Sequence, residues 1–235
     1  MTSEIMARLS ETSRIIAAAA KAALAPLGCV RKGQSRVWRC DRRFWAVQIE
    51  FQPSGWGSGS YLNIGPEWFW QIGPGLSWSY RPTDFITFEN AEQFRPLAEA
   101  MATIAAREVI ALTERFRTLD DIYRHLTRRP LQDDWNLYDA AVVSALLGDL
   151  ETSRAHFLRL ETCEVVFSWQ PRLKARSAEL AALLDRPLQF QQAVYQGMLA
   201  RRKALRLPDD PDCLNAALAC RESRSPTPRS EQSEL

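Results

Sequence analysis

The pattern of hydrophobic and polar positions changes its period along the chain, and this change predicts the first elements of the fold. In residues 3–25 apolar side chains recur at spacings of four and seven, as in the stripe of an amphipathic helix. Residues 45–52 alternate strictly instead, with Trp45, Val47 and Ile49 on one side, so we expect a β-strand that buries one face. The preceding segment SRVWRC predicts a shorter strand, and the two together indicate a β-hairpin.

Further strands and a second helix complete the first half of the chain. Residues 60–65 and 67–73 predict one long strand or two short ones, with Gly65-Pro66 as a bulge or break, and LSWSYRP is compatible with another strand. Asn90, followed three residues later by Gln93, is typical of a capped helix start. Residues 1–118 are therefore predicted to form an α+β domain, in which two helices cover a small antiparallel sheet.

The second half of the chain predicts an all-α domain over residues 119–219, joined to the first near residues 128–130. The candidate helices are residues 119–127, 134–147, 151–163, 171–185, 187–206 and 210–219. One helical hairpin, residues 136–160, resembles a tetratricopeptide-type helix pair, and both a repeat array and an ordinary bundle remain open. The polar, Ser- and Pro-bearing residues 220–235 are predicted to be a disordered tail.

Composition excludes some classes of protein. The chain of 235 residues is 46% hydrophobic and 25% charged with a net charge of +2, which argues against a strongly basic nucleic-acid protein or an acidic solvating one. The five cysteines contain no CxxC motif and favour a reduced cytosol over a disulfide framework. No apolar run is long enough to span a bilayer, and the first residues lack the pattern of a signal peptide. We therefore expect a cytoplasmic protein with no membrane partner.

The sequence offers no catalytic residue, no metal site and no cofactor motif. Its two histidines, His125 and His156, lie 31 residues apart and match no ligand spacing. The glycine-rich GWGSG segment precedes a predicted strand, whereas a phosphate-binding loop opens a helix. Ser58 also does not fit a nucleophile elbow, because the residues two positions away on either side are Trp56 and Ser60 and not glycine. The sequence therefore favours a non-enzymatic protein over an enzyme.

A basic run with interleaved tryptophans, RKGQSRVWRCDRR, is the first candidate binding feature. It carries six basic residues and a single acid within thirteen positions. Arginine and aromatic side chains on a sheet are a common means of holding single-stranded nucleic acid, through phosphate contacts and base stacking. The alternative is a hairpin edge carrying charge against edge-to-edge aggregation.

The aromatic stretch GWGSGSYLNIGPEWFW is the second candidate. Trp68 and Trp70 share a parity that Phe69 does not, and only one face of the sheet is expected to be covered by helices. Either Phe69 or the tryptophan pair is therefore expected on the outer face, although a core role for most of these rings is the alternative. The predicted partner or ligand surface consists of Arg31, Lys32, Arg36, Trp38, Arg39, Arg42, Arg43, Trp56, Trp68 and Trp70.

Residues 12–117 resemble domain-of-unknown-function family 4304. The resemblance rests on five short segments of this sequence: Leu27-Gly28, Arg31-Lys32-Gly33, Trp38-Arg39, Val47-Gln48-Ile49 and Tyr61-Leu62-Asn63-Ile64-Gly65. Val30 departs from the pattern, which usually has phenylalanine there. The resemblance implies an α+β domain of bacterial origin, and it transfers no activity and no catalytic residue.

These observations lead to three functional hypotheses. The first is a non-enzymatic protein-interaction module of a bacterial cytoplasmic protein, of the accessory or immunity type, with an unknown protein partner. The second is a nucleic-acid-binding module that uses the Arg/Trp-rich hairpin, and it predicts binding that weakens steeply with salt. The third is an enzyme whose site is hidden from the sequence.

Overall fold

The computed structural model describes residues 3–73, 80–128 and 133–219, with side chains from residue 11 onward. The proposed tail and most of the segment LSWSYRP lie outside these residues. Within them the fold is α+β, with a five-stranded antiparallel sheet and eight helices. The chain divides into two compact units, residues 1–117 with 192–211 and residues 118–191 with those from 212 onward. The first division lies beside the expected boundary at residue 118, whereas residues 192–211 were expected in the helical domain.

The sheet has the order β1-β2-β3-β4-β5, with every neighbouring pair antiparallel. Its strands are β1 (Val30–Arg31), β2 (Val37–Asp41), β3 (Trp45–Gln52), β4 (Gly59–Trp68) and β5 (Ile86–Thr87). The predicted hairpin is β2–β3, and β4 is one long strand that runs through Pro66. Pro66 is tolerated because it faces Val47 in a non-hydrogen-bonded pair, so its missing N–H points away from β3.

The helices begin and end close to the predicted positions. They are α1 (Ser3–Leu24), α2 (Ala91–Arg115), α3 (Leu119–Thr127), α4 (Asp134–Leu147), α5 (Leu150–Thr162), α6 (Gln170–Ala181), α7 (Pro187–Leu205) and α8 (Cys213–Ala219). The polar residue before a helix sets several of these starts. The side chain of Asn90 accepts a hydrogen bond from the Gln93 amide, and Thr118 and Asp121 form a capping box.

The apolar face of the sheet lies against α2, which in turn packs on α1. Trp45, Val47, Ile49 and Phe51 are all buried on this face, as the alternation predicted. Phe116, just beyond α2, meets Trp45 edge to face with ring centroids 5.5 Å apart. Each such side chain contributes about 1.5–3 kcal/mol when it is fully buried, so this face carries much of the stability of the first unit.

The second unit is built around the helical hairpin α4–α5. Gly148, with φ of 88°, ends α4 in the left-handed conformation, and Asp149 caps α5 by accepting from the Thr152 amide. Ser153 crosses the hairpin and donates to the Ala141 carbonyl at 2.8 Å. The next connection, residues 163–169, is longer and irregular, so the tight turn does not recur between α5 and α6.

Gly59 begins β4 at a point where backbone comes too close for any side chain. A Cβ atom placed there would lie 2.1 Å from the carbonyl oxygen of Ile86, and the φ of Gly59 is 155°. Because Gly59 pairs with Thr87, we expect Gly59→Ala to separate β5 from β4 and to cost about 1–3 kcal/mol. Urea unfolding measures this loss, with Gly55→Ala, where a Cβ meets nothing within 4 Å, as the control. Equal stability of the two variants would contradict the prediction.

Candidate functional site

The first residues of the basic run hold the fold of their own neighbourhood. Arg31 closes its turn by donating to the backbone carbonyls of residues 34–35, at 2.7 Å from Nε to the nearer oxygen. Arg36 reaches α1 and donates to the Ser13 hydroxyl at 2.8 Å. Burial lowers the pKa of the Arg36 guanidinium. Lys32 is exposed.

The later arginines of the run are also bonded to protein groups. Arg42 donates from Nε to the Thr113 hydroxyl at 2.9 Å, and Arg43 forms a two-pronged ion pair with Asp210 at 2.9 and 3.0 Å. Arg43 has a φ of 71°, a conformation that side chains other than glycine rarely adopt. Five of the six basic residues thus donate to protein groups, so the run is mainly a structural feature of the first unit.

Arg39 lies in a buried ionic cluster on the polar face of the sheet. Its Nε donates to the Glu67 carboxylate at 3.2 Å, and its other guanidinium nitrogen donates to Gln48 at 3.1 Å. Arg201, from the part of α7 that belongs to the first unit, donates to the second oxygen of Glu67. All four side chains are buried. One carboxylate therefore accepts from two guanidinium groups and offsets one of their two positive charges, at a position where all of these side chains are buried.

The tryptophans assigned to the partner surface are mostly buried. Trp38, Trp68 and Trp70 are each at most 5% exposed. The rings of Trp68 and Trp70 are stacked, with their centroids 5.6 Å apart. Trp56 is the exception, since it is fully exposed in the loop before β4. In this conformation the three buried rings cannot meet a partner.

The expectation that either Phe69 or the tryptophan pair faces outward is wrong, because both sets are buried. It assumed that only one face of the sheet is covered. Two arginines near the end of α7 reach the polar face as well: Arg201 donates to Glu67, and the guanidinium of Arg202 lies 5.4 Å from the centre of the Phe69 ring. Arg202 also donates from its two terminal guanidinium nitrogens to the two carboxylate oxygens of Asp41, at 3.0 and 2.7 Å.

A different surface in the second unit presents apolar side chains to solvent. It is the α5–α6 loop, residues 163–169, which connects the two helices. Its exposed apolar side chains, with their exposed fractions, are Val165 (50%), Val166 (69%), Phe167 (57%) and Trp169 (37%). Scattered single apolar residues are normal on a surface, whereas a contiguous apolar patch is typical of a binding site.

The backbone of the α5–α6 loop is held by one buried side chain, that of Gln170. Its Oε1 accepts from the amides of Val166 and Phe167, both at 2.6 Å. Its Nε2 donates to Asp134 at the start of α4, at 2.6 Å, and to the Glu164 carbonyl at 3.3 Å. Gln170 is 5% exposed, so all of its hydrogen-bonding groups are used inside the unit. The loop is fixed and not merely extended into water.

Lys174 holds the first residues of the same loop. Its ammonium group donates to the Glu161 carbonyl at 2.9 Å and to the Cys163 carbonyl. A cation at the C-terminal end of a helix satisfies open carbonyls and is favoured by the helix dipole. Burial also raises the pKa of the Cys163 thiol. The loop is therefore anchored at both of its ends.

The aromatic rings of the loop continue onto α4. The Phe167 and Trp169 rings are stacked, with centroids 5.8 Å apart and planes at 6° to each other. Trp169 stacks in turn on Trp135, with a centroid separation of 5.3 Å. Trp135 meets the buried Tyr138 at nearly a right angle. This arrangement fixes the orientation of the Phe167 ring while leaving more than half of it exposed.

A groove of about 400 Å³ lies between α5 and α6 in the same unit. Its walls are mainly apolar, and Phe157 and Leu158 contribute to them together with Lys174. Ser177 also lines the groove, and its buried hydroxyl has no hydrogen-bond partner among the described residues.

Groups suited to catalysis or metal binding are sparse. No set of three or more His, Cys, Asp or Glu side chains in the described ranges is placed to hold a metal ion. The pKa of His156 is lowered, first by burial and then by the nearby Arg159. Burial has the opposite effect on the phenol of Tyr138, whose pKa it raises, in the core of the second unit.

No residue of the α5–α6 loop is among the predicted surface residues. A signal was nevertheless present, since CEVVFSW places four large apolar residues between two predicted helices. Such a run in a short connection has no helix face on which to be buried, and it therefore indicates exposure.

Comparisons with known proteins give no relative: no family model, no curated protein and no solved structure matches the chain. Over the described parts of the chain, no helix combines the length and the apolar character that crossing a membrane requires.

Proposed function

We propose that the chain is a non-enzymatic protein-interaction module of a bacterial cytoplasmic protein, of the accessory or immunity type, which binds its partner protein through the α5–α6 loop. One observation carries the proposal. Four apolar side chains are exposed side by side on a loop whose backbone is held by the buried Gln170.

The fixed backbone matters because binding is opposed by the loss of conformational freedom. A loop that must be ordered on binding loses about 0.5–1.5 kcal/mol for each immobilised side chain, and a loop that is already held avoids part of this cost. Phe167 and Trp169 are aromatic, and aromatic anchors that enter a partner's pocket supply much of the energy of many protein interfaces.

The shape and charge of the loop indicate the chemistry of the partner. Val166 and Phe167 are the most exposed apolar side chains of the loop, so the proposed partner has an apolar pocket that accepts them. Glu164 and Arg172 are exposed beside the apolar residues and carry opposite charges. A polar rim of mixed charge around an apolar centre is typical of protein interfaces. Such a rim lacks the excess of positive charge that attracts a nucleic acid.

We propose that residues 12–117, in the first unit, form a domain similar to those of domain-of-unknown-function family 4304. This resemblance carries no activity, so it adds no enzymatic role to the proposal. Nucleic-acid binding by the hairpin receives little support, because five of its six cations donate to protein groups and three of the four tryptophans assigned to the partner surface are buried.

The proposal predicts that the doubly substituted chain Val166→Ser/Phe167→Ser loses its partner while keeping its fold. Both side chains are mainly exposed, so their loss removes contact area from the complex and little from the core. The measurement is capture of tagged protein from its native host, with nuclease, followed by quantification of the stoichiometric partner. We expect at least a roughly tenfold fall in recovery, the equivalent of 1.4 kcal/mol.

Leu188→Ser is the matched control, because Leu188 is 80% exposed in the same unit but lies outside the loop. It should recover the partner as the unsubstituted chain does. Equal recovery by the loop variant and the control would contradict the proposed site. Recovery of nucleic acid alone, lost on digestion and weakened by salt, would favour the hairpin hypothesis instead.

A further inference from the structure

Two cysteines of the first unit face each other across the edge of the sheet. β1 and β2 pair Val30 with Arg39, so the next residues outward are Cys29 and Cys40. The amide of Lys32 donates to the Val37 carbonyl, which marks that pair as hydrogen-bonded. Hydrogen-bonded and non-hydrogen-bonded pairs alternate along an antiparallel ladder. Counting outward from Lys32, the pair Cys29–Cys40 is of the non-hydrogen-bonded kind.

This position has the geometry that a disulfide requires. Opposed residues of a non-hydrogen-bonded pair have Cα atoms about 4.5 Å apart, and disulfides form at separations of about 4.4–6.8 Å. The amide of Cys29 points away from β2 and donates to the Leu24 carbonyl at 3.2 Å, as the pairing requires. Opposed residues of an antiparallel pair project from the same face of the sheet, so the Cys29 and Cys40 side chains are neighbours.

Both cysteines are buried, and neither is in a disulfide in this structure. Cys40 donates from its sulfur to the Leu27 carbonyl at 3.1 Å. β1 contains only two residues and lies at the edge of the sheet. Its opening requires the loss of few backbone hydrogen bonds, so small molecules reach the pair through local fluctuation.

We propose that Cys29 and Cys40 are a paired modification site that closes to a disulfide when the protein meets a peroxide. The inference is independent of the proposed function, since the pair lies in the first unit and the α5–α6 loop in the second.

The reaction needs one peroxide for each disulfide. The Cys40 thiolate attacks one oxygen of hydrogen peroxide, the O–O bond breaks, and the products are a sulfenic acid and hydroxide, which takes up a proton to become water. The Cys29 sulfur then attacks the Cys40 sulfur, its proton and the sulfenic hydroxyl leave as a second water, and the S–S bond forms. The two thiols are oxidised by two electrons, and the peroxide is reduced by two.

The order of the two sulfurs follows from their surroundings. The neighbouring Cys29 thiol lowers the pKa of Cys40 against the opposing effect of burial, and the positive charge of Arg42 also lowers it. The neighbouring Cys40 and burial raise the pKa of Cys29. Cys40 is therefore the nucleophile toward peroxide, and Cys29 is the resolving thiol.

The test treats the folded chain with hydrogen peroxide, blocks free thiols with iodoacetamide in denaturant, and analyses the tryptic peptides by mass spectrometry. We expect residues 22–31 linked to residues 40–42, with the loss of two hydrogen atoms. Cys163→Ser, which removes a more exposed thiol, should give the same link. In Cys29→Ser we expect the link to vanish and Cys40 to be trapped by dimedone as a sulfenic acid.

Three results would overturn the inference. The first is recovery of Cys29 and Cys40 as alkylated thiols under conditions that oxidise Cys163. The second is oxidation of Cys40 to sulfinic acid in the unsubstituted chain without the link. The third is equal yield of the link when the chain is oxidised in urea, because sequence proximity alone would then explain it.

Discussion

Glu67→Gln is expected to lower the free energy of unfolding by about 3–5 kcal/mol, the usual cost of removing one partner from a buried ion pair. Glu67 is 3% exposed, and its two oxygens accept from Arg39 and Arg201 on opposite sides. Glutamine has almost the same shape but no charge, and its amide nitrogen would face a guanidinium as a second donor. Two positive charges would then remain buried without a counter-ion.

The matched control is Glu179→Gln. Glu179 pairs with Arg176 at 2.8 Å, but its side chain is 67% exposed, and such surface pairs contribute about 0–1 kcal/mol. Urea unfolding followed by tryptophan fluorescence measures both variants, since Trp45 and Trp68 report on the first unit and Trp135 and Trp169 on the second, which contains Glu179. A loss below about 1 kcal/mol in Glu67→Gln would mean that water or an anion reaches the cluster.

Local rules account for most of the elements of this fold. The predicted helices 119–127 and 134–147 coincide with α3 and α4, because Thr118 and Asp133 are capping residues that fix where those helices begin. The alternation of β3 predicted its buried face, which comprises Trp45, Val47, Ile49 and Phe51. Capping and periodicity depend on neighbours within a few positions, and a single sequence displays them.

The cover on the polar face of the sheet depends on contacts that a single sequence does not display. Arg201 and Arg202 appear in the sequence as ordinary basic residues near the end of a helix, yet they bind Glu67 and Asp41, more than 130 positions away. Arg39 appeared exposed for the same reason. A buried charge and an exposed one look alike until the distant partner is known.

The candidate site was missed for a different reason. An apolar residue predicts burial in most positions. The dense aromatic residues in and beside β4 were nevertheless predicted to form the surface, and those of the α5–α6 loop were not. Trp68 and Trp70 stand in a strand and are buried, whereas Val166 and Phe167 stand in a connection and are exposed. The element that carries an aromatic residue predicts its exposure better than the local density of aromatic residues does.

Gln170→Met is expected to release the α5–α6 loop, although methionine matches glutamine in length. The variant loses the acceptor of the Val166 and Phe167 amides and leaves Asp134, which is 8% exposed, without its donor. Leaving a buried polar group unpaired costs about 1–3 kcal/mol. Hydrogen exchange should quicken at those two amides by at least about tenfold, and partner recovery should fall with it because the apolar residues are no longer held in place.

Gln170→Glu separates the two halves of this side chain's role. The introduced carboxylate still accepts from both loop amides, but it meets the Asp134 carboxylate where Nε2 donated before. Like charges at that distance raise the pKa of the introduced group in the folded chain above its unfolded value. Folding therefore favours the protonated form of the introduced glutamate. The free energy of unfolding of the variant, relative to the unsubstituted chain, is highest at acidic pH and falls as pH rises through the folded pKa. If urea midpoints at pH 4 and pH 7.5 differ equally in the variant and the unsubstituted chain, Gln170 does not bridge the loop to α4, and the loop is held by Lys174 and the aromatic stack.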